Sequence, residues 1–157
     1  MPSTQYVAKT ILNTRDAIAS LVRWKITLLT ATQMREPLSE RATRTIDNPD
    51  ECSVGQWLLS RHTLHLRLTQ EYRTLVDLHN EFHREMQDIA LLINTADYPA
   101  AERRLTAPTG FQRVCTISAN AIMALDRIST SALAPKSSVG PQCPPVHHKK
   151  PSRAKSY

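Results

Sequence analysis

"LTQEYRTLVDLHNEFHREMQDIALLI", residues 68–93, repeats its apolar side chains at steps of three and four. Leu68, Tyr72, Leu75, His79, Phe82, Met86 and Ile93 fall on one stripe, flanked by His83, Ile89 and Ala90. That period belongs to an amphipathic helix, and it predicts one over about 64–95. A stripe of this length must be buried against other elements. The rest of the chain decides what those elements are.

Upstream, Val7, Ile11, Ile18, Leu21 and Leu28 recur at helical spacing, with Thr14 and Lys25 interrupting the seam. They predict a helix over about 3–33, which Pro37 cannot continue. Residues 37–50 are polar and read as a connection. In "NPDEC", Asn48 or Asp50 offers a cap for a short helix over about 53–61 that carries Val54, Trp57 and Leu58. Downstream, "NTADYP" breaks the long helix, and 99–106 adds a helical turn or two. A last helix follows "APTG" with Phe111, Val114, Ser118, Ala121, Leu125 and Ile128 on its seam. None of these helices can hide its stripe alone. The expectation is an all-α protein, an antiparallel four-helix bundle with one short helix, over residues 1–132. Residues 133–157, including "APKSSVGPQCPPVHHKKPSRAKSY", hold five prolines and no apolar period. They read as a disordered basic tail.

Composition narrows the class. Apolar residues make up 41% and charged residues 22% of the 157, ordinary values for a globular protein. No run approaches the ~18 apolar residues of a membrane span, and no secretory signal opens the chain, so a cytoplasmic protein with reduced thiols is expected. The net charge of +6 suggests nucleic acid. Five of the basic residues, Lys136, Lys149, Lys150, Arg153 and Lys155, sit in the tail, which has no acidic residue. The body is left close to neutral, so nucleic acid is not the expected partner. Only a weak electrostatic contact through the tail stays open.

His79 and His83 stand four residues apart, one turn of helix and about 6 Å. Two imidazoles so placed can converge on one metal ion. The alternative is a pair of hydrogen-bonded core histidines, which needs a partner for each buried nitrogen. Cys52 adds a third donor. It stands at the start of the short helix in "CSVGQWL", where a helix N-terminus favours a thiolate. Gly55 lets that helix approach a neighbour closely. His62 and His65 lie too far along the chain to join the pair, since 14 helical residues span ~21 Å. Cys115 is expected over a turn away as a small core residue.

"CSVGQWL" followed by "LHNEFH", and preceded by "SLVRWK" at 20–25, resembles the chemoreceptor zinc-binding domain family. The resemblance covers about residues 5–130. It implies a helical bundle that binds zinc, with Cys52, His79 and His83 as three of the ligands. It also implies a homodimer, and a chemoreceptor or diguanylate cyclase as partner. The family's remaining ligand is a histidine on the first helix, three residues before the tryptophan. Here that place is Leu21.

Three outcomes stand open: zinc with three protein ligands and an open position, a weak or absent site, or a fourth ligand from a partner chain. The functional expectation is a cytoplasmic sensor or regulatory module. In it, zinc occupancy, or oxidation of Cys52, changes how the short helix packs. The rival is a metal-free structural or adaptor bundle, for which Leu21 speaks. A di-iron bundle would need more inward carboxylates. An enzyme is not expected, because no general base stands beside the site and Glu81 and Glu85 should face elsewhere.

Overall fold

The computed structural model of the chain describes residues 14–133. Among them are six α-helices, two 3-10 turns and no strand, so the described chain is all-α. The helices are α1 (Thr14–Met34), α2 (Glu40–Asp47), α3 (Ser53–Leu59), α4 (Gln70–Asn94), α5 (Tyr98–Thr106) and α6 (Phe111–Leu133). The 3-10 turns are Pro49–Glu51 and Arg61–Leu66. The first part of the expected N-terminal helix and nearly all of the expected tail lie outside the described residues.

Helix α4 is the centre of the fold. Tyr72, Leu75, Phe82, Met86, Ile89 and Ile93 are buried along it, as the stripe at 68–93 requires. Its most extensive partner is α6, whose Phe111, Val114 and Leu125 are fully buried. Phe82 and Phe111 stack there with ring centroids 5.5 Å apart. Such pairs add about 0.5–1.5 kcal/mol beyond their buried area. Arg113 of α6 pairs with Glu81 at the edge of this contact, and Arg104 of α5 pairs with Glu85 and Asp88 of α4. Both glutamates therefore turn away from the histidines. Helix α1 closes the core against α5 and α6, with Ala17, Leu21 and Leu28 buried.

The expected connection 37–50 is instead largely helical. Ser39 caps α2 by accepting from the Ala42 N–H at 3.2 Å. Ile46 is its single buried residue. One apolar side chain makes no period, so only the cap marks this helix in the sequence. The start of α4 also differs from the expected 64. Thr69 is the N-cap, accepting from the Tyr72 N–H, and residues 61–66 form the 3-10 turn. Leu68 precedes that cap, is off the helix and is 85% exposed, so it is not part of the inward stripe.

Neither Asn48 nor Asp50 caps α3. Cys52 does, its Sγ accepting from the Gly55 N–H at 3.2 Å. The turn Pro49–Glu51 folds back onto α3 so tightly that a Cβ on Gly55 would lie 2.0 Å from the Pro49 carbonyl oxygen. Glycine here fixes where Cys52 sits. Gly55→Ala should cost about 3 kcal/mol, the upper end of overpacking costs, because backbone has to move. A lowered midpoint in denaturant unfolding checks this.

Candidate metal centre

Two chain segments bring three donor atoms together. Cys52 arrives at the N-cap of α3, and His79 and His83 arrive on successive turns of the buried face of α4. One donor atom from each lies within 4.8 Å of the others. All three residues are buried, His83 to 1% exposure. The two rings meet edge to face with centroids 4.7 Å apart.

The hydrogen bonds fix the protonation of each group. His83 Nδ1 lies 2.9 Å from the Ile46 carbonyl. A carbonyl only accepts, so Nδ1 carries the ring proton. Burial lowers the His83 pKa and keeps the ring neutral, outweighing the hydrogen bond to Ile46 and the charge of Asp50. Its Nε2 is therefore a bare lone pair, and it is buried with no hydrogen-bond partner. An orphaned buried acceptor costs about 1–3 kcal/mol.

Burial, with a smaller contribution from His83, lowers the His79 pKa to about 4. Burial likewise raises the Cys52 pKa, against the opposing hydrogen bonds from Gly55 and Val54. Thiol and imidazole are both neutral, so the 2.9 Å contact between Cys52 Sγ and His79 Nε2 is assigned as S–H donating to nitrogen. Without metal the cluster carries no charge, and its only acidic proton is the thiol's.

Such a cluster is a set of ligands in waiting. A dication that replaces the thiol proton would meet one thiolate and two neutral imidazoles. This donor set suits borderline transition metals and not the hard oxygen-seeking ions magnesium and calcium. The contacts behind the donors are of the kind metal ligands use: a carbonyl orienting His83 through Nδ1, and a backbone N–H on the Cys52 sulfur. The group could hold a metal ion.

Other candidates stand elsewhere. His65 is exposed. Cys115 is half-buried on α6, its thiol pushed up to about 11, chiefly by burial. Leu21 is buried in the same apolar core as Cys52. The neighbouring Ser20 Oγ meets Ser53 Oγ at 3.2 Å, so α1 passes the first residue of α3 one residue before position 21. The element unseen in the sequence is the Ile46 carbonyl. A backbone acceptor leaves no residue-type signal, and the helix that presents it has the polar composition of a connection.

No family model matches the chain, and no curated protein or solved structure matches it either. Among the described residues no helix is long and apolar enough to cross a membrane.

The depressed His79 pKa makes the metal-free fold acid-sensitive. The unfolded imidazole, near 6.5, binds a proton that the folded one refuses until about pH 4. Stability is therefore complete above 6.5 and falls as pH drops towards 4. Between pH 7.5 and 5 the loss should be about 2 kcal/mol in chelator. His79→Leu should flatten that part of the profile, as read from denaturant unfolding at the two pH values.

Proposed function

We propose that the chain is a zinc-binding regulatory module, built as a helical bundle of the chemoreceptor zinc-binding type. Zinc would be held by Cys52, His79 and His83. The observation that carries this reading is the buried, partnerless Nε2 of His83, whose ring is oriented by the Ile46 carbonyl. A satisfied core histidine has a use for both nitrogens, and this one has a use for one. Zinc is favoured within the borderline metals because a thiolate with two imidazoles is a recurrent zinc set.

The regulatory step lies in what the donors connect. Cys52 stands between the turn Pro49–Glu51 and α3, and the histidines stand on α4. Zinc would tie those segments together. Its loss would leave the thiol–imidazole contact and the Tyr72 hydroxyl on the Leu58 carbonyl to tie the short helix to α4, and oxidation of the Cys52 sulfur would remove the first of these. A partner reading that face would sense the change. The resemblance suggests a second copy of the chain and a chemoreceptor or diguanylate cyclase as partners, in the cytoplasm, with no catalytic role for the module. The antiparallel four-helix description of the body belongs to the same reading.

Zinc content of untagged protein tests this directly. Wild type should carry about one zinc per chain, and Cys52→Ala, His79→Ala and His83→Ala should each lose most of it. His65→Ala should retain it. A zinc content near zero in wild type, or full zinc in His83→Ala, would end the reading.

One observation favours a second reading, a metal-free structural bundle. Leu21 is buried at the position where the resemblance calls for a histidine. Leu21→His probes that position. Beside a metal it should complete a tetrahedral set and be at least as stable as wild type in excess zinc. In chelator it should cost about 1–3 kcal/mol, because an unpaired imidazole is buried. Thermal melts in both conditions decide whether position 21 faces the pair: equal destabilisation in each means that it does not, and leaves a three-ligand site at best, to be judged by the zinc content of wild type.

A further inference from the structure

A cleft of about 520 Å³ opens between α1, α2 and the start of α3. Arg23 and Trp24 line it from α1, Arg41 and Thr45 from α2, and Glu51 and Cys52 from the segment between α2 and α3. Cys52 is thus a member of the donor group and also a wall of a space open to solvent.

Resting on the zinc reading above, we propose that this cleft is a binding site for a small carboxylate. Its head takes the fourth position of a metal held by Cys52, His79 and His83, and its body lies between Arg23 and Arg41. Four observations converge. First, no fourth His, Cys, Asp or Glu joins the donor group among the described residues, and the nearby position 21 is an aliphatic side chain. A tetrahedral ion with three protein ligands keeps one position for an outside donor.

Second, the charges select an anion. A dication bound to one thiolate and two neutral imidazoles keeps a net charge of +1. Arg23 and Arg41 are both exposed, and neither enters an ion pair among the described residues. Glu51 is the one acidic residue on the cleft wall, and its Oε1 accepts from the Asn48 amide.

Third, the volume exceeds what a diatomic or triatomic ion fills and lies within the range of small-molecule sites. Trp24, half-buried, supplies an apolar surface; the Thr27 and Thr45 hydroxyls already donate to the Arg23 and Arg41 carbonyls, so the two arginines are the donors offered to a carboxylate. Fourth, a second recess that reaches the donor group, at His83, carries Asp77 and Arg84 together. With one charge of each sign it has no preference for an anion.

Cobalt(II), a visible-light probe that replaces zinc in such sites, tests this on the 157-residue chain. The cobalt protein is titrated with azide, which offers a head alone, and with succinate, whose second carboxylate can reach the arginines. Both should shift the cobalt bands saturably while the cobalt–thiolate absorption persists. The Arg23→Ala/Arg41→Ala double variant should bind cobalt as wild type does. It should weaken succinate about tenfold and azide less, since each exposed charge pair contributes a few-fold at most. Stoichiometric cobalt with bands unmoved by either anion overturns the cleft proposal and leaves the metal centre standing. The cleft proposal is equally overturned if succinate strips the metal, or if the double variant responds like wild type. Absence of any cobalt–thiolate absorption overturns the metal reading and the cleft with it.

Discussion

The hydrogen bond from His83 Nδ1 to the Ile46 carbonyl organises the site and much of what surrounds it. It ties the middle of α4 to the end of α2 through two residues 37 positions apart in the chain. It sets the tautomer of His83, and so leaves Nε2 as a lone pair aimed into the core. It also places α2 over α4, which brings the turn Pro49–Glu51 down onto Gly55 and sets Cys52 at the head of α3. A side chain larger than hydrogen at 55 would push that turn away. The geometry of the cluster therefore rests on a backbone carbonyl and a missing Cβ as much as on the three donors.

The same dependence separates what is legible in the sequence from what is not. The stripe on α4 is plain, because Tyr72, Leu75, Phe82, Met86 and Ile93 follow the helical period and packing has nothing to overrule. His79 and His83 fall on it at one turn's spacing, and Cys52 is marked by its setting before Gly55 and Trp57. The structure brings these three together. Helix α2 is hidden because eight residues with one buried side chain offer no period, and its capping serine looks like any loop serine. Leu68 misleads for the opposite reason: it continues the period, but Thr69 caps the helix one residue later. Asn48 and Asp50 look like the cap of α3 because oxygen acceptors dominate that position. A cysteine sulfur fills it, and this one residue thereby serves the helix end and the cluster at once.

Leu21 and the cluster pull in different directions. An aliphatic side chain at position 21 is at home in the apolar core and adds to its burial. The same burial raises the cost of the lone pair on His83, because no protein hydroxyl is hydrogen-bonded to it. A bundle that had simply discarded a metal would relieve that cost most easily at His83, where an apolar residue of similar volume fills the space. Three converging donors with no fourth among the described residues leave room for an outside donor, and Cys52 also lines a cleft open to solvent.

The close Cys52–His79 contact has a competing interpretation, a nucleophilic thiolate activated by an imidazole. The electrostatics weigh against it. Such a pair works as thiolate and imidazolium, which requires a lowered thiol pKa and a raised imidazole pKa. Burial moves both the other way here, up for Cys52 and down to about 4 for His79. The separation of charge that activates a cysteine nucleophile is therefore the state this pocket disfavours most. A dication changes the balance, because it stabilises the thiolate directly and needs the imidazoles neutral, as burial already makes them. The environment that suppresses one chemistry at this cysteine is the one that prepares it for the other.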